Sequence, residues 1–209
     1  AKKLYSCSTF MLYLGINKRY THGAHHNILF AEDYRQNVRE ISETYELSLD
    51  PSVYVQNAAL LDDTLAPTGK STLYVLAPIA NNNSGIDWDL EKAAYRERIL
   101  DILETRGGYT GLRDHIETEL MITPKDWEER YGVYKGATFN LGHNLGQMLM
   151  FRPHNRFECL KDCYLVGGGT HPGSGLPTIY ESGRISAEMI LKKNGIKLQA
   201  NGHSSLASG

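Results

Sequence analysis

The chain has 209 residues, with 22 Lys or Arg and 24 Asp or Glu, so its formal net charge is −2. This length accommodates one or two domains with a sizeable core. The balance of charge argues against a nucleic-acid-binding protein, which would be basic. No apolar run approaches the roughly 18 residues of a membrane span. The three cysteines, Cys7, Cys159 and Cys163, lack metal-ligand spacing and indicate reduced thiols in a cytoplasmic protein.

Strands and helices are predicted to alternate along the chain. Residues 5–16 are apolar on both faces, which predicts a long strand in the centre of a sheet. Further strands are predicted at 27–31, 52–56, 71–78 and 116–122. Helices are predicted at 34–45, from a cap at Asp87 or Asp89 to Thr105, and at 124–131. The segment 132–155 has no strong period.

The run YLVGGGTHPGSGLP at residues 164–177 carries the most informative pattern. It predicts a short strand at 164–166, a glycine-rich turn, and a helix at 177–191 that stops at 192–195. Consecutive glycines lack a Cβ and let the backbone approach a ligand closely. Together with the amide groups of a helix start, they predict a cradle for an anionic or electron-rich ligand. A tight turn whose glycines serve packing alone is the alternative.

The final helix carries small residues on one side, namely Ser182, Gly183, Ser186 and Ala187. Such residues let a helix lie close to a flat ring or to a sheet. Both interpretations stay open from the sequence.

The segment 166–177 resembles the C-terminal signature of bacterial-type carotenoid desaturases, the phytoene and diapophytoene desaturases of the FAD-dependent amine-oxidase-like superfamily. Other segments resemble family segments in the same order, at 6–15, 24–27, 52–54, 65–69, 74–78 and 151–155. The resemblance covers roughly residues 5–191, and its weight comes from that shared order.

The resemblance implies an α/β fold in two functional parts. Residues 1–160 would form a substrate-binding region with a mixed sheet and covering helices. Residues 161–194 would supply the last strand and helix of the Rossmann-like FAD-binding domain, and 195–209 would be a disordered tail. The dinucleotide fingerprint G-x-G-x-x-G is absent, because position 172 is Pro. We therefore expect a C-terminal portion that needs its N-terminal half and is inactive alone.

The implied activity is FAD-dependent desaturation of phytoene or a related carotenoid precursor. The long apolar polyene would lie against the flavin, in an enzyme that contacts a membrane surface peripherally without spanning it. A related polyene isomerase, saturase or oxygenase is one alternative. An inactive fragment that only binds apolar ligands is another, and the absent fingerprint favours it.

Candidate site residues follow from the resemblance and from their chemistry. The predicted cofactor-binding residues are Gly167, Gly168, Gly169, Thr170, Gly175, Leu176 and Pro177. His171 is the candidate catalytic acid or base, since histidine titrates near neutrality, and bracing of the turn is its alternative role. Arg152 and His154 are candidate substrate-binding residues, with a structural ion pair as the alternative.

A histidine cluster has the spacing of metal ligands but lacks the remaining ligand types. Its members are His22, His25 and His26. The adjacent pair should point to opposite sides of a strand, and no acidic or thiol partners lie nearby. We therefore expect no metal.

Overall fold

The computed structural model describes residues 3–196 and divides the chain into two compact units, residues 1–142 and 143–209. The predicted tail lies outside the described residues from position 197 onward. The predicted functional boundary near residue 160 stays a prediction, because compactness does not report which ligand each part binds.

The first unit is built on one five-stranded sheet. Its strands are β1 (Ser8–Ile16), β2 (His26–Leu29), β3 (Val53–Asn57), β4 (Ser71–Ile79) and β5 (Ile116–Ile122). They lie in the order β2-β3-β4-β1-β5, and each pairing is antiparallel. The α/β class is therefore confirmed, although the described sheet contains no parallel pair. β1 lies between two neighbours, as its two apolar faces predicted.

One face of the sheet packs against the long helix α1 (Trp88–Thr105). The Asp87 side chain caps this helix by accepting a hydrogen bond from the Asp89 amide at 3.0 Å, and leaves the Asp89 side chain free to bind Lys125. The predicted apolar stripe is buried and faces alternate residues of β1 and β4. The core contains Phe10, Leu12, Leu14, Leu73, Val75, Tyr95, Ile99, Ile102 and Leu103.

Two shorter helices complete the first unit. α2 (Tyr34–Arg39) continues into a π-helical turn at Glu40–Thr44 and ends at Tyr45 in the left-handed region, with φ of 58°. α3 (Pro124–Glu129) begins with a reciprocal cap between Thr123 and Asp126. Both helices fall within the predicted segments.

The second unit ends in the helix α4 (Leu176–Lys193), close to its predicted range. The predicted strand at 164–166 is wrong, because Tyr164 makes only an isolated bridge with Arg156. The carbonyl of Leu165, which a strand would pair with a neighbour, accepts the Ser186 hydroxyl at 2.8 Å instead. Side chains of α4 thus replace a ladder partner at this point.

Within residues 3–196, no helix combines the length and the apolar character needed to cross a bilayer.

Candidate functional site

The glycine-rich loop (residues 167–175) leads from Val166 into α4. Gly167, Gly173 and Gly175 have φ values of 111°, 146° and 108°, which side-chain-bearing residues rarely adopt. At Gly167 a Cβ would meet no atom within 4 Å, so its glycine is required by backbone conformation and not by crowding within this unit. The sequence prediction of a tight glycine-rich turn before a helix is confirmed.

A buried polar cluster holds the loop from beneath. It consists of Asn155, Thr170 and Ser182, which are 4%, 6% and 0% exposed. The Asn155 amide donates to the Ser182 hydroxyl at 2.9 Å, and the Thr170 and Ser182 hydroxyls lie 2.8 Å apart. The Gly167 amide donates to the Ser182 hydroxyl at 3.1 Å. The Thr170 side chain is thus engaged in the interior and its amide donates to the Gly167 carbonyl at 3.3 Å, so its predicted contact with a cofactor stays a prediction.

The start of α4 matches the predicted cradle in its chemistry. Gly175 stands at the N-cap without any side-chain cap, and Leu176 and Pro177 are exposed. Uncapped first-turn amides carry partial positive charge and suit an electron-rich ligand edge. The chemistry of this loop therefore suits the electron-rich edge of a flavin ring. The residues predicted to bind the cofactor stay predictions.

Arg152 lies beneath the loop and not on a surface open to ligand. Its guanidinium donates to the Gly168 carbonyl through Nε at 3.1 Å and Nη2 at 2.6 Å, and to the Gln147 carbonyl at 3.4 Å. Burial lowers its pKa, although an arginine stays charged. Its predicted substrate contact stays a prediction, while the structure gives it a direct hold on the glycine-rich loop.

His154 and His171 have different surroundings. His154 is exposed and lines a shallow depression with Phe157, Leu160 and Met189. His171 places Nδ1 at 3.0 Å from the Leu149 carbonyl. Because a carbonyl only accepts, this Nδ1 is the protonated nitrogen, and Nε2 of the neutral ring is left as an acceptor. The bracing contact exists, and the catalytic role of His171 stays a prediction compatible with it.

The sheet face opposite α1 carries a row of tyrosines that was not predicted as a site. Tyr13 lies directly opposite Tyr74 and Leu120 on the neighbouring strands. Its ring centroid is 5.3 Å from that of Tyr74, which is 5.9 Å from that of Tyr54. Burial raises the pKa of each of these phenols. Strand alternation was the available signal, because each tyrosine stands between two core aliphatic residues.

This tyrosine face (Tyr13, Tyr54 and Tyr74) adjoins open space. A cavity of about 530 Å³ lies beside Tyr13 and Leu120. Gly15 on its floor leaves no room for a Cβ, which would come within 2.4 Å of the Thr118 hydroxyl. Of the three tyrosines, only Tyr13 lines this cavity, which is also lined by Lys70, Glu117 and Glu119. The surface that suits an apolar ligand is therefore that of the tyrosine rings and Leu120.

The histidine cluster makes protein contacts. His25 bonds the Asn57 carbonyl at 3.1 Å, His26 bonds the Tyr54 hydroxyl at 2.6 Å, and His22 bonds the Gly107 carbonyl at 3.0 Å. The expectation that His25 and His26 diverge is wrong, since their rings pack edge to face at 4.2 Å. His25 precedes β2, so strand alternation does not govern its direction. Among the described residues, no group of three His, Cys, Asp or Glu side chains could hold a metal ion.

Comparison with known proteins finds carotenoid desaturases along nearly the whole chain. It is 58% identical over 200 residues to a 4,4'-diapophytoene desaturase (4,4'-diapolycopene-forming) of Methylomonas sp, a match of 96% of this chain and 39% of the relative. It is 42% identical to an all-trans-zeta-carotene desaturase of Myxococcus xanthus, over 91% of this chain and 36% of that protein. A phytoene desaturase (lycopene-forming) of Pseudescherichia vulneris is 38% identical over 91% of this chain and 39% of its own length.

No protein-family model matches the chain. The chain spans well under half the length of the relatives it matches. An alignment of 200 residues within 209 necessarily includes the glycine-rich loop, the tyrosine face and β1 from Phe10 onward. The resemblance in sequence order is thus confirmed over the elements that carry the site, and the chain is similar to carotenoid desaturases along nearly all of its length.

Proposed function

We propose that this chain is part of an FAD-dependent desaturase that acts on a phytoene-type or diapophytoene-type polyene. It would bind the substrate and supply the glycine-rich loop of the cofactor site. The observation that carries the proposal is the similarity across 96% of the chain to a diapophytoene desaturase. The relatives named above are all desaturases, which favours desaturation over isomerisation, saturation or oxygenation.

FAD is the cofactor that the glycine-rich loop would hold, through the amides of Gly168, Gly169 and Leu176 and through close packing against the other loop residues, since Pro177 has no N–H. The proposed contacts are Gly167, Gly168, Gly169, Thr170, Gly175, Leu176 and Pro177. Bound FAD would accept a hydride from an allylic C–H while a proton leaves the neighbouring carbon, so that a new double bond forms. The chain's own groups position the reactants and exclude water.

His171 is the proposed acceptor of that proton. Its Nδ1 is committed to the Leu149 carbonyl, which fixes the ring and leaves Nε2 to receive a proton. The exposed histidine His154 is the proposed polar contact at the substrate side, and Arg152 would act there only through the loop that it holds.

The tyrosine face is the proposed resting surface for the polyene. Its rings offer flat apolar area, and the phenols are uncharged, since burial raises a pKa that is already high in an ordinary tyrosine. An apolar substrate of this kind is delivered from a membrane, so peripheral membrane contact at the cytoplasmic side and an N-terminal dinucleotide-binding partner half belong to the same proposal.

The test combines the chain, FAD and liposomes carrying diapophytoene or phytoene, with and without the N-terminal half of the Methylomonas relative. We expect a conjugated, coloured product only when both halves are present, with a parallel change in flavin absorbance. Bound flavin with an altered but not desaturated polyene would identify another polyene reaction. Absence of flavin binding with both halves present would rule out the cofactor assignment.

A further inference from the structure

Two carbonyl groups at the start of the glycine-rich loop accept hydrogen bonds from within the second unit. The Gly168 carbonyl accepts two hydrogen bonds from the Arg152 guanidinium, at 3.1 and 2.6 Å. The Gly167 carbonyl accepts the Thr170 hydroxyl at 3.1 Å. Each acceptor is therefore matched to a donor of the same unit, as buried carbonyls require.

The side-chain nitrogen of Asn155 is a hydrogen-bond donor to two further carbonyl groups. Its Nδ2 donates to the His171 carbonyl at 2.9 Å and lies 3.3 Å from the Leu165 carbonyl. It also donates to the Ser182 hydroxyl at 2.9 Å. Because carbonyl oxygens can only accept, the group at this point has to be a donor. The side chain is buried, so no solvent molecule replaces it readily.

Two amide groups of the loop show the opposite pattern, whereas those of Gly167, Thr170 and His171 donate within the unit. Within residues 3–196, the amides of Gly168 and Gly169 donate to no protein acceptor. α4 begins immediately after the loop without a side-chain cap. The Gly167 and Gly168 carbonyls are therefore held inside the unit, while the Gly168 and Gly169 amides are left for another partner.

We propose that Asn155 is a positioning residue that fixes this arrangement, so that the Gly168 and Gly169 amides, and not the Gly167 and Gly168 carbonyls, face the electron-rich edge of a bound flavin. A carbonyl turned toward that edge would repel it, since both carry partial negative charge. The proposal rests on the proposed function, because it assigns to Asn155 the geometry of that cofactor's cradle. The hydrogen bonds of Asn155 Nδ2 go to backbone carbonyls and to hydroxyls of the cluster, so its role toward a cofactor would be indirect.

The test replaces one donor without changing shape. Asn155→Asp keeps the side-chain outline but removes the NH2 group, and Asn144→Asp is the matched control at an exposed asparagine whose side chain makes no cap bond. Amide hydrogen exchange of Gly167 in the full chain reports the loop directly, since this amide is bound by Ser182. We expect about tenfold faster exchange in Asn155→Asp and no change in Asn144→Asp.

Measuring the exchange of Asn155→Asp at lower pH distinguishes loss of the hydrogen-bond donor from a general loss of packing. When the introduced carboxyl becomes protonated it regains one donor, so Gly167 protection should partly return relative to the Asn144→Asp chain at the same pH. Should Asn155→Asp fail to fold by circular dichroism, Ser182→Ala removes the acceptor of the Gly167 amide and should raise the same exchange rate. Unchanged Gly167 exchange in the folded variants would overturn the proposal.

Titration with FAD in the presence of the N-terminal half separates the two proposals. We expect Asn155→Asp to weaken FAD binding about tenfold relative to Asn144→Asp. Faster loop exchange with undiminished FAD affinity would overturn the positioning role. If the unsubstituted protein binds no FAD, the proposed function fails, and the positioning of a flavin cradle fails with it even where loop exchange responds.

Discussion

The rings of Phe10 on β1 and Tyr95 on α1 pack edge to face, with centroids 5.0 Å apart and planes at 84°. Tyr95 is 1% exposed, and its hydroxyl has no hydrogen-bond partner among the described residues. Burial raises the pKa of this phenol, so it is neutral at all physiological pH values. The ring thus joins sheet to helix, while the hydroxyl adds no bond.

Tyr95→Phe should therefore change the free energy of unfolding by less than about 1 kcal/mol, because it removes a polar atom that lacks a partner. Tyr95→Ala should cost about 3–5 kcal/mol, because it leaves a cavity beside Phe10. Urea denaturation of the two variants measures both values. A large loss in Tyr95→Phe would show that the hydroxyl has a partner, such as a buried water.

Gly183→Ala should stabilise α4 by about 0.5–1 kcal/mol, since glycine in a helix interior is unfavourable and a Cβ here would meet no atom within 4 Å. Ala187→Gly, at an exposed position of the same helix, should destabilise it by a similar amount. Thermal unfolding compares the two. If Gly183→Ala instead weakens FAD binding while raising stability, the small residue serves a ligand at that surface.

Asp126→Asn should make stability less dependent on acid. Burial opposes ionisation of Asp126, but hydrogen bonds from Thr123 and the charge of Arg130 outweigh it and lower its pKa below the ordinary value. A carboxyl with a lowered folded-state pKa stabilises the fold above its unfolded pKa, and this contribution disappears as the pH falls through the folded pKa. We expect a loss of about 1 kcal/mol near pH 7 and almost none near pH 2.

Denaturant titrations of both proteins across that pH range measure the difference. Glu129→Gln, on the same helix but outside the capping box, is the control and should show little change at either pH. Equal losses at both pH values for Asp126→Asn would contradict the assigned ionisation.

Tyr74→Gln should weaken polyene binding several-fold to about tenfold, because it removes the central ring of the tyrosine face. Tyr74→Phe should retain binding, since the flat apolar area remains. Partition of diapophytoene between detergent micelles and the chain provides the measurement. Tyr180→Gln, on an exposed tyrosine of α4, is the control, and an equal loss there would mean that the effect is not specific to the sheet face.

Local patterns predicted the regular elements well, because burial imposes its period on the sequence. β1, α1 and β5 follow from their apolar residues, and α4 follows from Pro177 at its start and Gly195 after its end. The segment 164–166 looked like a strand for the same reason. Its pairing depends on backbone neighbours elsewhere, and Ser186 and Asn155 supply hydrogen bonds in their place.

The glycines of the candidate site could be predicted from the sequence, but the side chains that hydrogen-bond to the glycine-rich loop could not. Three consecutive glycines before a helix indicate a close backbone approach without any knowledge of the fold. Asn155 could not be recognised, because its importance comes from contacts with His171 and Ser182 that lie 16 and 27 positions along the chain. The tyrosine face was readable from alternation, but only the strand order brings its three members together.

The strand order determines when each strand can find its partners while the ribosome synthesises the chain. β1 pairs with β4 and β5, so its backbone has no ladder partner until residues 71–79 and 116–122 have been made. Until then the run FMLYLGI is a β-prone, uncharged segment with unsatisfied edges. Non-local pairing of this kind closes slowly. Nascent chains should therefore depend on chaperones most strongly before residue 122 emerges, and mutations that delay β5 should increase aggregation more than those in α4.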